Sequence, residues 1–229
     1  MMRRVLLACA SMLGAALVVA GSIGAQEPVT IAGLDRETNA QVARIVESVR
    51  TSGLPVDPVL SKVRFALVVH APPSRIVATA QAVATRLEAA RGVVAPHGAP
   101  ADIAAGEEAL SFDIPKDVLR KVAQASPDRS VAVPIGVLTQ LVVSGVPASK
   151  AGQMVTELIK RGATATQLVA LGNDVNADVQ GGARAGESAD IRMRGLTPLL
   201  APGGSAAASS PADLQSASSP NPRDPRKKP

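Results

Sequence analysis

The side chains that could do chemistry are few and far apart. The chain of 229 residues holds two histidines, His70 and His97, and one cysteine, Cys9. His70 stands in Val69-His70-Ala71-Pro72, which reads as a stop between helices, and His97 lies in the Pro/Gly-rich "VVAPHGAPAD". A single histidine at a helix end suits the carbonyl pole of the helix dipole better than a substrate. No H-x-x-x-H pair offers a zinc face, and neither histidine has acid or base partners beside it in sequence. The signatures G-x-S-x-G, S-x-x-K, P-loop and G-x-G-x-x-G are absent after the first 25 residues.

Carboxylates supply two further candidates. Asp174-x-Asn176-x-Asp178 begins like a calcium loop, but its sixth position is Val179 and its twelfth is Ala185. A calcium loop needs Gly for the sharp turn and a bidentate Glu at those places. On a helix, Asp174 and Asp178 instead share a polar face while Val175 and Val179 point inward. The pair Glu107-Glu108 reads as a solvated helix face, because adjacent helical residues do not face each other. No catalytic, cofactor-binding or metal-ligating residue is assigned on these grounds, and no cofactor is expected.

The elements that would have to carry any site are helical. Val42, Ile45, Val46 and Val49 recur at helical spacing on 36–51, and Val59, Leu60, Val63, Ala66 and Leu67 repeat the stripe on 55–69. Ile76, Ala80, Val83 and Leu87 mark 72–91, and shorter helices are predicted over 101–110 and 115–125. The run "VAVPIGVLTQLVV" (131–143) is strand-like in its Val/Ile content. It is assigned to a buried helix, with Pro134 in the first turn, because no other strand exists for it to pair with. Ala151, Met154, Val155, Leu158 and Ile159 mark 147–161, and Leu168, Leu171, Val175 and Val179 mark the last long helix. No two-residue hairpin turn separates alternating runs. The prediction is all-α: an array or bundle of about seven to eight short helices packed as hairpins.

The ends differ from the middle. Met1-Met2-Arg3-Arg4, the apolar run Val5–Ala20 and the small residues to Ala25 form a secretory signal pattern over 1–25. Cys9 lies inside it, with too short an apolar run before it for a lipid-acceptor signal, so the mature chain is expected to be free of cysteine and of disulfides. Nothing later in the chain suggests a membrane span. Residues 201–229 turn to Ala, Ser, Pro and Gly and end in "RDPRKKP"; this composition predicts a disordered tail with a basic end. Four of the five net positive charges come from these ends. Leaving out Arg3 and Arg4, then Arg223, Arg226, Lys227 and Lys228 with Asp213 and Asp224, residues 26–200 keep 18 basic against 17 acidic residues. With so even a charge, and with Phe65 and Phe112 as the only aromatics, a nucleic-acid binder is excluded.

Two segments share one layout. Placing Gly53 on Gly145, a shift of 92 positions, sets Gly53-Leu54-Pro55 on Gly145-Val146-Pro147 and Val63 on Val155 without a gap. Segments 53–92 and 145–184 are thus candidates for an internal duplication of roughly 40 residues, the size of one helical repeat. Gly takes the left-handed conformation that ends a helix, and Pro suits the next first turn. Asp113-Ile114-Pro115 repeats the device with Asp in the Gly role, and Thr164-Ala165-Thr166-Gln167 has capping-box spacing. On these Gly-x-Pro starts the chain resembles uncharacterised exported bacterial all-helical proteins, over roughly residues 36–196. The resemblance implies an all-helical exported protein and no site residue.

The function expected from this reading is an exported, non-catalytic helical binding or scaffold module. It would work in the periplasm or medium and bind a protein or envelope component in a groove between helices. Specificity is expected in the polar residues that differ between the two segments, Ser149-Lys150 against Asp57-Pro58. Two alternatives are an exported hydrolase with a scattered Asp/Glu/His site, and a protein tethered to an anionic envelope surface through the basic tail.

Overall fold

The computed structural model describes residues 30–126 and 129–200, and these are helical without a strand. The signal pattern, the tail and the Pro127-Asp128 pair lie outside the described residues. The described helices are nine: α1 (Arg36–Thr51), α2 (Asp57–Val68), α3 (Pro73–Val94), α4 (Pro100–Ser111), α5 (Lys116–Gln124), α6 (Ala132–Val143), α7 (Ala148–Lys160), α8 (Ala165–Gln180) and α9 (Ala185–Leu196). A 3₁₀ turn, Thr197–Leu200, follows. The expected count of seven to eight is therefore low by at least one. The helix missing from the periodicity is α9, whose only fully buried apolar side chain is Ala189.

One backbone device ends six of these helices. Gly53, His70, Asp113, Gly145, Gly162 and Gly182 all have positive φ, between 54° and 101°. In each case the N–H of that residue and the next reach back to carbonyls of the last turn, as Gly145 N to Val142 O and Val146 N to Leu141 O do. This satisfies orphan carbonyls and turns the chain sharply. At four of the stops the next residue is a plug, with Leu54, Ile114, Val146 and Ala163 buried, while Ala71 is half-buried and Ala183 exposed. The prolines that follow sit just outside the next helix, Pro115 and Pro147 as N-caps of α5 and α7. At α8 the Thr164 hydroxyl and Gln167 side chain form the reciprocal capping box.

Packing joins near neighbours along the chain. α3 lies against α1, α2, α4 and α5, and α6 lies against α4, α5, α7 and α8. α5 also packs on α7, and α8 on α9. The main contacts thus connect helices one or two places apart in the chain. Between the helices runs a core of Val, Leu, Ile and Ala, with Leu87, Leu119, Leu138, Leu141, Leu158 and Leu171 fully enclosed. Both phenylalanines stay outside, Phe65 on α2 and Phe112 at the end of α4.

Two buried carboxylates tie α4 to its neighbours. Asp102 is buried, and its Oδ1 accepts from Ser130 Oγ (2.6 Å), Val131 N (2.9 Å) and Ala132 N (2.9 Å). It caps α6 from another helix, which explains how the Val/Ile-rich run starts a helix at Val131 without a side-chain cap of its own. Glu107 overturns an expectation: it lies in the α3–α4 interface, and Arg86 of α3 donates to it at 2.9 Å. Its side chain is 3 % exposed, against 30 % for Arg86. Only Glu108 faces solvent. Local spacing puts both on a polar face, because the partner Arg86 lies 21 residues away on another helix.

Close approach of α5 and α7 depends on Gly152. A Cβ there would overlap Val118 Cγ1, part of a β-branched side chain with little room to turn. Gly152→Ala is expected to cost about 1–3 kcal/mol of stability through this overlap. At Gly172 on α8 the obstruction is Gln140 Oε1, the end of a flexible side chain. Gly172→Ala should be near neutral, since helix propensity returns about 1 kcal/mol. Urea unfolding of both variants checks the contrast.

Candidate binding groove

The side chains singled out for chemistry are not brought together. His70 occupies a left-handed helix stop and is exposed. His97 lies half-buried in the α3–α4 connection, its Nε2 3.2 Å from the carbonyl of Ala123 at the end of α5. Among the described residues no three His, Cys, Asp or Glu side chains converge as a metal site would need. Asp174 and Asp178 lie on α8, where they meet a guanidinium: Arg192 of α9 donates to Asp178 at 2.6 and 2.8 Å and to Asp174 at 3.4 Å. Ser188 Oγ donates to Asp178 at 2.6 Å, and Ser144 Oγ lies 3.5 Å from Asn176 Oδ1. The apparent calcium motif is the docking face for α9.

The concave feature lies elsewhere. A groove of about 750 Å³ crosses the outer face of α7, between α5 and α9. Its polar lining includes Lys121, Gln124, Ser149, Lys150, Gln153 and Lys160, and its apolar lining includes Val118, Met154 and Met193. A second cavity of about 500 Å³ continues it past Ala125 and Lys160 toward Arg129, Ser130 and the start of α8. Each helix presents one face here for a local reason. Val118 and Met154 close the floor because Gly152 lets α5 and α7 touch, and Gly145 turns the chain so that α7 starts beside Ala185.

Charges in the groove are mostly satisfied. Lys121 lies 3.8 Å from Asp117, Lys150 bonds Asp190 at 2.7 Å, and Arg161 bonds Glu157 at 2.7 Å. Lys150 also donates to the carbonyl of Gly186 at 2.9 Å. Lys160 makes no ion pair among the described residues, so the charge left open in the groove is positive. Sequence reasoning had pointed to Ser149 and Lys150 as the variable polar residues of a helix start, and both line the groove. It missed Lys121, Lys160, Met154 and Met193 as a set, because three separate helices contribute them.

The α8–α9 contact has its own pH dependence. Hydrogen bonds from Arg192 and Ser188 hold the Asp178 carboxyl down to about 2, below its ordinary 3.8. A depressed carboxylate stabilises the state that holds it above its ordinary value, and loses that effect as pH falls through the lowered one. α9 is therefore expected to stay docked from pH 7 to about pH 4 and to loosen between about pH 3.8 and 2. Proton-resolved amide exchange or the Arg192 side-chain signals in NMR, followed across that range, test this.

Among the described residues no helix is long and apolar enough to cross a membrane. Comparisons with protein-family models, with curated proteins and with solved structures each find no significant match to the chain.

Proposed function

We propose that this protein is an exported, non-catalytic helical scaffold that holds an extended, carboxylate-bearing peptide segment of a partner in the groove over α7. The observation that carries this reading is the groove's own charge pattern. Its carboxylates Asp117, Glu157 and Asp190 each have a cation beside them, while Lys160, where the two cavities join, has no carboxylate partner among the described residues. A ligand carboxylate there completes a pair without displacing another, and Arg129 lies further along the same path. Met154 and Met193 support the reading too, because methionine adapts to ligand side chains of varied shape. The even balance of the remaining groove charge favours a peptide over a polyanion such as nucleic acid.

The array layout belongs to the same proposal. Segments 53–92 and 145–184 are read as two copies of a helix–stop–helix unit packed as hairpins. The 92-residue shift supports this, since it lays the left-handed Gly53 on Gly145 and the left-handed His70 on Gly162. In this reading the second copy, α7–α8, was adapted for binding, and α2–α3 kept a structural role. Export through residues 1–25 places the partner in the periplasm or medium.

The test is binding of a fluorescent peptide of about ten residues carrying two or three Asp. Anisotropy is expected to report saturable binding, weakened about tenfold or more by Lys160→Glu. An acidic peptide that binds equally to the wild type and to Lys160→Glu, or binds neither, removes the proposal.

A further inference from the structure

We infer that α9 is a releasable wall of the groove, latched by two sets of ion pairs rather than by core packing; its role in binding rests on the groove reading above. The helix contributes Ala189 to the core, with Ala185, Met193 and Leu196 partly covered, and leaves Ile191 59 % exposed. Its other attachments are polar. On the α8 side Arg192 forks onto Asp178 and reaches Asp174, and Ser188 bonds Asp178. On the α7 side Lys150 holds Asp190 and the carbonyl of Gly186. Both ion-pair sets are partly open to solvent, so dissolved salt screens them. An apolar interface behaves differently, because ordinary salt leaves hydrophobic burial in place or strengthens it.

The second latch sits inside the groove. Lys150, Asp190 and Met193 all line it, so a ligand carboxylate that takes Lys150 from Asp190 loosens α9 on that side. The groove then widens around a bound segment while Arg192 still keeps α9 on α8. Arg192 fixes the helix on α8 and Lys150 holds its groove side, so the wall can open without unfolding of the other helices.

Amide hydrogen exchange of the full chain, read by mass spectrometry at about 20 mM and about 1 M NaCl, tests the latch. Exchange in 185–196 is expected to rise about tenfold or more at high salt, while α3 and α6 keep their protection. Arg192→Gln is expected to reproduce that rise at low salt, and protection of α3 and α6 in the same sample shows that the variant is folded. If 185–196 keeps the protection of α8 at both salts, the latch is refuted. If instead salt releases α9 but the acidic peptide binds neither the closed nor the open form, the latch stands and the binding reading falls.

Discussion

Replacing Asp102 with alanine is expected to destabilise the fold by about 3–5 kcal/mol. Asp102 is 2 % exposed and serves three donors through one oxygen. Two of those donors are the N–H groups of Val131 and Ala132, at the start of a helix whose own N-cap position offers no side-chain acceptor. Alanine leaves the buried Val131 N–H without an acceptor, while Ala132 N keeps only Ser130 Oγ at 3.3 Å, and an unmet buried donor costs about 1–3 kcal/mol. Asp102→Asn keeps an acceptor oxygen in place and loses only the charge assistance, so about 1–2 kcal/mol is expected. Urea unfolding followed by circular dichroism measures both. Equal losses for the two variants would mean that the carboxylate acts as a charge and not as a cap. Because α6 packs on α4, α5, α7 and α8, its start matters to the whole fold.

The Arg86–Glu107 pair is the second large effect, and its two halves are unequal. Arg86→Ala leaves Glu107 buried without its partner, and about 3–5 kcal/mol of destabilisation is expected. Removing the carboxylate is milder: after Glu107→Ala the partly exposed guanidinium can turn to water, and about 1–2 kcal/mol is expected. Replacing both at once, Arg86→Met with Glu107→Leu, should return stability close to that of the wild type, since apolar pairs substitute well for buried ion pairs. A double-mutant cycle by thermal or urea unfolding reads the coupling directly. Additive losses would show that the two side chains contribute separately.

The helix stops were legible because each rests on a local rule. Gly53, Gly145 and Gly162 end helices in the left-handed conformation, and Asp113 does so in the same role. The Thr164 capping box closes within four residues of chain. The run 131–143 was assigned to a helix by elimination, and it forms α6. What escaped was long-range. Asp102 reaches 28 to 30 residues ahead to cap α6, and Glu107 finds Arg86 21 residues back. Neither partner announces itself at a fixed spacing. α9 escaped for a different reason. Its inward stripe is one buried alanine, Ala189, with Ala185, Met193 and Leu196 partly covered, too weak a pattern to register as periodicity. Its anchors, Arg192 and Lys150, find their carboxylates only after α7 and α8 are placed. The groove shares that dependence, since its lining comes from residues 117–125, 149–160 and 190–193 on three helices.

Methionine provides the most direct readout of the central claim. The chain has five, and those outside the first 25 residues are Met154 and Met193, both lining the groove. Protein labelled with ¹³C at the methionine methyls therefore reports on the groove with two signals from the folded part. Titration with the Asp-bearing peptide is expected to shift both methyls in a saturable way, while a Lys-bearing peptide of the same length leaves them in place. If the acidic peptide leaves both signals unmoved at saturating concentration, the groove over α7 is not a binding site of this kind.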